Sequence, residues 1–193
     1  MSVGPQAIRV QRVVLFGPES TGKSTLAERL AARFGAPWSP EYVREYWDFH
    51  GGLIGPGDLE SIARGQVAGE EAAAGRAAAE RARVVFHDTD LLTCTIWDDL
   101  LFPGACPEWA RTEAARRARA TDLYLFCDTD LPWAPDPQRC FPDEEGRAMC
   151  RRVFLEKLEE VGARWVRVWG AEAEREARAV AAVELVLNRC SVR

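Results

Sequence analysis

Residues 13–24, VVLFGPESTGKS, decide the fold of this chain. Four apolar residues at 13–16 lead into GPESTGKS at 17–24, which fits the pattern G-x-x-x-x-G-K-[ST] of a phosphate-binding loop. Apolar residues at Leu26, Leu30 and Phe34 then follow at helical spacing. The order of strand, glycine-rich loop and amphipathic helix predicts an α/β domain that grips a polyphosphate.

Each type of side chain in this pattern has a physical task. Glycines let the backbone turn so that successive N–H groups point inward, and the helix that follows presents its positive dipole end. Lys23 supplies a cation for phosphate oxygens, and Ser24 offers a hydroxyl to Mg²⁺. The predicted nucleotide-binding residues of the loop are Gly17, Ser20, Thr21, Gly22, Lys23, Ser24 and Thr25.

Composition limits the classes of partner. The 193 residues suit one domain, predicted over 11–193 after a flexible lead at 1–10. The net charge of −5 argues against a nucleic acid partner, and a small-molecule substrate is expected instead. We find no secretory signal at the amino terminus and no apolar run near the ~20 residues that span a bilayer, so we expect a cytoplasmic protein with no membrane partner. The 6 cysteines lack metal-ligand spacing. The sequence does not indicate an oligomeric state.

Strand and helix patterns alternate along the chain. This alternation predicts a parallel five-stranded sheet with helices on both faces, a three-layer sandwich of the P-loop NTPase type, similar to nucleoside kinases. The predicted strands are 11–16, 38–42, 83–87, 122–127 and 164–169. The predicted helices are 23–34, 59–82, a segment ending near 101, 107–120, 146–161 and 171–188. The aperiodic, Pro- and Asp-rich residues after 127 predict a lid over about 128–150.

Acidic residues follow the predicted strands where ligands bind in parallel sheets, at the carboxyl ends. They are Glu41, Asp88, Asp90, Asp128 and Asp130, and we expect them to converge on the phosphate loop. Asp88 is the candidate that holds Mg²⁺ together with Ser24. The next residue is Thr89, whereas hydrolytic ATPases commonly have a water-activating glutamate there, which favours transfer to a hydroxyl.

Two of these acids and one arginine have competing interpretations. Glu41 is the candidate that orients or deprotonates an acceptor hydroxyl, or else a solvated acid at the end of a strand. Asp90 either chelates a vicinal diol or caps the next helix, and both roles are compatible. Arg44 either binds substrate or phosphate, or is an exposed helix residue.

The lid candidates are cationic and aromatic. Arg139 is the first choice to stabilise the transferred phosphoryl group, and Arg147 the second, as a nucleotide contact. Arg151 and Arg152 are interpreted as solvated helix surface. Trp38, Trp47 and Trp133 either stack on a planar substrate ring or belong to the core. The candidate substrate-binding residues are Glu41, Tyr42, Arg44, Asp90 and Trp133.

Four blocks occur in order: GPESTGKSTLAERLA, EYVREYW, FHDTDLLTCTIW and DLYLFCDTDLPWAPDPQR. Together they resemble the ribosylnicotinamide kinase domain of bacterial NadR-type proteins, over about residues 11–190. The resemblance implies a kinase that uses ATP and Mg²⁺ to phosphorylate the 5′-hydroxyl of nicotinamide riboside, for NAD synthesis. It also implies lid roles for Asp136 and Arg139, in the pattern W-x-x-D-x-x-R, and for Arg147.

Two departures from that family set further expectations. Its multidomain members carry a DNA-binding segment and an adenylyltransferase domain, whereas we expect a stand-alone kinase here. The family sandwiches the nicotinamide ring between aromatics, yet Pro40 stands where a tryptophan is expected, and the matching part of the long helix is 66–69, QVAG. Either Trp38 or Trp47 is expected to substitute for the missing aromatic, or else the base of the acceptor differs from nicotinamide. The alternatives are a kinase for another nucleoside or ring-bearing metabolite, and an ATP-binding regulatory module.

Overall fold

A computed structural model describes residues 9–190 and shows the predicted α/β architecture. Its 5 strands form one sheet in the order β2-β3-β1-β4-β5, and every pairing is parallel. The strands are β1 (Gln11–Phe16), β2 (Trp38–Ser39), β3 (Val84–Asp88), β4 (Leu123–Cys127) and β5 (Trp165–Val168). The helices are α1 (Lys23–Phe34), α2 (Tyr42–Phe49), α3 (Leu59–Ala79), α4 (Leu91–Leu101), α5 (Glu108–Ala120), α6 (Glu144–Val161) and α7 (Glu172–Cys190).

The helices cover both faces of the sheet, as the near-continuous apolar strands predict. Alternate residues of β1 point to opposite layers, so Val13 and Leu15 pack with α1 and α7. Val14 and Phe16 pack instead with α4, α5 and α6. Both layers are buried, and the three-layer sandwich is confirmed.

The second predicted strand is wrong in its length. We expected a strand over 38–42, but β2 stops after Ser39 and the helix α2 begins at Tyr42. Pro40 lies between them and cannot donate to a strand ladder, which ends the pairing with β3. This short strand places the start of α2 at the carboxyl edge of the sheet, so α2 carries its side chains over that edge.

All five carboxyl ends lie at one edge because the strands are parallel. The opposite edge holds the start of β3 and the end of α7, where the Arg83 guanidinium donates to the Leu187 carbonyl at 2.8 Å. Within residues 9–190, no helix combines the length and the apolar character needed to cross a bilayer. Most of the predicted flexible lead, residues 1–8, falls outside the described residues, and the division of the chain into domains stays a prediction.

Candidate nucleotide and acceptor site

The backbone of the phosphate loop adopts a conformation that depends on its glycines. Gly17 has φ 138°, and a Cβ there would lie 2.5 Å from the Cys127 carbonyl oxygen of β4. Gly22, at φ 75°, begins α1. The Lys23 ammonium reaches back over the loop and donates to the Pro18 carbonyl at 2.7 Å. The loop therefore gathers backbone N–H groups, a cation and a helix amino terminus at one place, which is an anion site.

Asp88 lies beside this loop with the properties of a metal ligand. Its side chain is buried, and its Oδ1 atom has no hydrogen-bond partner among residues 9–190. Burial and the nearby Glu41 carboxylate raise the pKa of Asp88 to about 6, while the Lys23 ammonium and the Ser24 hydroxyl oppose that rise. An orphaned carboxylate oxygen near a hydroxyl fits a hard cation with oxygen ligands.

A cleft of about 680 Å³ opens from the phosphate loop across the carboxyl edge of the sheet. The phosphate loop and the start of α2 line it with polar and charged groups, and α3 and α4 line it mainly with apolar side chains. The predicted residues that line it are Ser20, Thr21, Gly22, Lys23, Ser24, Thr25, Glu41, Arg44 and Arg139. The structure therefore brings the phosphate loop, the candidate base and the lid arginine to one cavity.

Glu41, Arg44 and Asp136 form a connected set between α2 and the lid. Arg44 donates to Glu41 at 3.3 Å and to Asp136 at 3.2 Å. Asp136 in turn accepts from the backbone N–H of Gln138 at 2.9 Å. Arg44 is thus an ion-pairing residue at the cleft and not a free helix arginine, and it holds Glu41 in place.

The lid rests on two side chains of the phosphate loop. The Ser20 hydroxyl accepts from the backbone N–H of Ala134 at 2.8 Å and from Arg139 at 3.4 Å. The Glu19 carboxylate accepts from the N–H groups of Cys140 and Phe141 at 2.8 and 3.1 Å. Arg139 also donates to the Ala134 carbonyl, and its buried Nε has no partner among the described residues. Arg139 therefore lies over the phosphate loop, and its Nε–H group can still donate a hydrogen bond.

Two other lid candidates lie outside the cleft lining. Arg147 donates to the carbonyls of Thr129 and Leu131 at 2.7 and 2.8 Å. Its guanidinium and that of Arg139 stack on Trp133, with centroid distances of 5.7 and 5.8 Å. Arg147 and Trp133 therefore brace the base of the lid, and the structure gives no contact between the cleft and either of them.

Tyr42 was expected to bind substrate, but its ring packs on α3. A Cβ at Gly65 would lie 2.0 Å from the Tyr42 ring, so glycine is what allows this contact. The Tyr42 N–H donates to the Gln66 side chain at 3.0 Å. Of the two tryptophans proposed as substitutes for the missing sandwich, Trp47 lines the cleft and Trp38 packs against the core.

Three acids that were expected to converge on the phosphate loop are engaged elsewhere. Asp90 is buried and caps α4, accepting from Thr93 N–H at 3.2 Å and from the Tyr124 hydroxyl at 2.5 Å. The capping alternative is confirmed, and Asp90 does not line the cleft. Asp128 pairs with Arg167 and, at 2.7 Å, with Arg151. Asp130 pairs with Arg175. Arg151 is therefore not free surface, whereas Arg152 is exposed as expected.

Sequence reasoning missed the helix α4 as a wall of the cleft. Thr93, Cys94, Trp97, Asp98 and Leu101 line it, and these positions form one helical face. The signal was available as the pair Asp98 and Asp99 within the largely apolar run LLTCTIWDDLL. Trp97 packs parallel to Phe141 at 6.2 Å, so one lining tryptophan comes from α4.

A parallel sheet with a phosphate loop after its first strand defines this chain as a P-loop nucleotide-binding protein. Residues 12–175 match the family model described as an AAA domain, and the chain belongs to that family.

A curated relative, the trifunctional NAD biosynthesis/regulator protein NadR of Escherichia coli strain K12, is 29% identical over 92% of this chain. The chain spans only 42% of that relative's length. A crystal structure of NadR protein in complex with NR matches with TM-score 0.70 and 24% identity, covering 93% of this chain and 51% of that one. Thymidylate kinase from Ehrlichia chaffeensis matches with TM-score 0.61 and 12% identity, covering 90% and 98% of the two chains. Both structural similarities support the fold.

Proposed function

We propose that this protein is a kinase that transfers the γ-phosphate of ATP to the 5′-hydroxyl of nicotinamide riboside, giving nicotinamide mononucleotide. The observation that carries the proposal is the shared cleft, in which the Lys23 end of the phosphate loop faces a Glu41–Arg44 pair and continues into an apolar pocket. A polyphosphate, a hydroxyl and a planar ring need these three environments. The similarity to NadR proteins supports the choice of acceptor.

The residues divide the work of phosphoryl transfer. Lys23 and the loop N–H groups hold the phosphate tail, and Arg139 stabilises charge on the group being transferred. Glu41 accepts or orients the proton of the acceptor hydroxyl, and Arg44 positions Glu41. Ser24 and Asp88 would hold Mg²⁺, which when bound neutralises charge on the phosphates.

Transfer to an alcohol fits the cleft better than hydrolysis. Thr89 follows Asp88 and lines the cleft, where a water-activating ATPase commonly has a carboxylate. The lid rests on the loop through Glu19 and Ser20, which restricts the access of water to the transferred group. These features argue against the regulatory-module alternative.

The test is a coupled ADP-release assay with ATP, Mg²⁺ and a panel of acceptors. We expect turnover that depends on nicotinamide riboside and yields nicotinamide mononucleotide by mass spectrometry. Lys23→Ala is the matched control and should lose nearly all transfer while keeping its circular dichroism spectrum. If only another nucleoside supports turnover, that nucleoside is the acceptor in place of nicotinamide riboside. Slow turnover that no acceptor changes would favour a regulatory module.

A further inference from the structure

Asp98 is an isolated charge in the apolar part of the cleft. Among the described residues, the other charged groups of the lining come from the phosphate loop, the start of α2 and the lid; they are Glu19, Lys23, Glu41, Arg44 and Arg139. Asp98 comes from α4 and is 5% exposed. It is therefore set apart from the groups that handle phosphate.

The position of Asp98 along α4 puts it at the far end of the cleft. The helix starts after its cap Asp90, at the carboxyl edge of the sheet. Asp98 is eight residues further on, about 12 Å along the helix axis at 1.5 Å per residue. The lining residues nearest in sequence are Trp97, Leu101 and Phe102, and Leu59 and Ile62 line the cleft from α3.

The carboxylate of Asp98 lacks the partners that such a group needs. Its Oδ2 is buried and has no hydrogen-bond partner among the described residues. Burial and the neighbouring Asp99 charge raise the pKa of Asp98 to about 6, while the Cys106 thiol, a weak donor, and the Arg111 guanidinium oppose that rise only in part. Because Oδ2 is closed to solvent, a ligand in the cleft reaches Asp98 through the part of the residue that lines the cleft. A donor or a positive charge placed there offsets the cost of burying an ionised carboxylate.

We infer that Asp98 determines acceptor specificity by accepting the N–H hydrogen bonds of a carboxamide on a cationic ring. The inference rests on the proposed function and deepens it. The nicotinamide riboside ring carries a positive charge and a primary carboxamide, and both complement a carboxylate. Nicotinic acid riboside carries a carboxylate in place of the amide, so it would set two like charges together at the same place.

The test compares nicotinamide riboside with nicotinic acid riboside in wild type, Asp98→Asn and the control Asp99→Asn. Asp99 is the adjacent residue, pairs with Arg111 and does not line the cleft. Its charge and that of Arg111 also act on Asp98, so any change of acceptor ratio in Asp99→Asn should be smaller than in Asp98→Asn. Wild type should prefer nicotinamide riboside. In Asp98→Asn, kcat/KM for that acceptor should fall about 10- to 100-fold, as expected for a lost charge-assisted hydrogen bond, with the loss mainly in KM. Nicotinic acid riboside should gain, because the new amide can donate to its carboxylate, and the KM for ATP should not change.

The outcomes separate this inference from the proposed function. If wild type uses nicotinamide riboside but does not discriminate against nicotinic acid riboside, the role of Asp98 is refuted and the kinase assignment stands. The role of Asp98 is also refuted if the ratio of kcat/KM for the two ribosides is unchanged in Asp98→Asn. The same holds if that ratio shifts equally in Asp99→Asn. Absence of nicotinamide riboside turnover in wild type removes both proposals. The wild-type comparison is decisive even if Asp98→Asn does not fold.

Discussion

Glu41 occupies the last position before α2, with extended backbone, and its side chain is turned toward Arg44. A carboxylate at this place is near the phosphate loop, and its charge raises the pKa of Asp88. The ion pair with Arg44 fixes the direction in which the carboxylate points. Position and orientation together are what a group that receives a proton from an alcohol requires.

Replacing Glu41 by Gln should remove the proton acceptor while keeping the side-chain shape. We expect kcat to fall about 100-fold or more, which is within the usual range for loss of a general base. The KM for ATP should remain within about twofold, because Glu41 is assigned to the acceptor. Steady-state kinetics with both substrates varied measure this, and an unchanged kcat would remove Glu41 from its role.

Asp98 also predicts a pH dependence of stability. Its pKa is raised from 3.8 to about 6, with the Asp99 charge adding to the effect of burial and the Cys106 thiol and Arg111 opposing it. The native state therefore holds this proton more tightly than the unfolded chain, and the group costs stability as pH rises from about 4 to 6. The upper limit of that cost is about 3 kcal/mol. Asp98→Asn should thus gain stability relative to wild type at pH 7 and not at pH 4.

Urea denaturation of both proteins at pH 4 and pH 7 measures this gain. Asp99→Asn provides a control of opposite sign, because the hydrogen bond from Arg111 lowers the pKa of Asp99. A carboxylate of that kind stabilises the fold above its unfolded pKa, so its removal should cost stability at pH 7. Equal effects of the two variants would contradict the environment described for Asp98.

The contact between α2 and α3 sets the position of Glu41 and Arg44, which line the cleft at the start of α2. Tyr42 packs on Gly65, and the Tyr42 N–H is held by Gln66, which donates in turn to the buried Glu70 at 3.3 Å. Burial and the nearby Asp90 raise the pKa of Glu70 to about 8. Because α2 carries Glu41 and Arg44, a shift of this helix would be transmitted directly to the cleft.

Gly65→Ala tests this contact. The added Cβ would lie 2.0 Å from a Tyr42 ring carbon, so the ring must move. We expect a loss of about 1–3 kcal/mol in the free energy of unfolding, as for overpacking, together with a raised acceptor KM. Gly69→Ala is the control on the same helix, since nothing lies within 4 Å of its added Cβ. That variant should be neutral or stabilised by up to about 1 kcal/mol.

The elements that sequence predicted best are those with an uninterrupted periodic signal. The strands β1, β3 and β4 and the helices α1, α4 and α5 lie where their apolar patterns place them. The segment around Pro40 failed because a two-residue strand has no period to read, and because α2 packs through Tyr42 against a glycine that is distant in sequence. Local pattern cannot reveal such a contact.

Predicting the site had the same limit. The phosphate loop and Asp88 follow from motif and strand order, and the structure brings them together. Arg147 and Asp128 could not be placed correctly, because the sequence does not show that backbone carbonyls and Arg151 engage them. A charged residue near a cleft satisfies its hydrogen bonds with whichever partner the fold brings closest.

At the scale of the whole molecule, Arg175 joins parts of the chain that carry the site. It is 4% exposed and donates to the carbonyls of Thr21, Asp128 and Gly170, each at 2.9 Å. It therefore ties α7 to the phosphate loop and to the end of β4.

Arg175→Met should weaken both stability and nucleotide binding. The buried carbonyls of Thr21 and Asp128, the half-buried carbonyl of Gly170 and the Asp130 carboxylate would lose their donor, and we expect a cost of about 3 kcal/mol or more. The KM for ATP should rise, because the phosphate loop loses the hydrogen bond that Arg175 donates to the Thr21 carbonyl. Arg178→Met is the control: Arg178 stacks on Trp169 at 3.8 Å near the surface, and its loss should cost less than about 1 kcal/mol. Thermal unfolding and ATP titration distinguish the two variants.

The parallel arrangement of the sheet also has a practical consequence for handling the protein. The strand β1 enters from the edge remote from the cleft, and α7 returns to that edge, where Arg83 meets the Leu187 carbonyl. The outermost residues that the structure describes, 9 and 190, therefore both lie on the side of the molecule remote from the cleft. Protein immobilised through that side should keep its cavity open to solutes, so surface-based binding measurements suit this enzyme candidate.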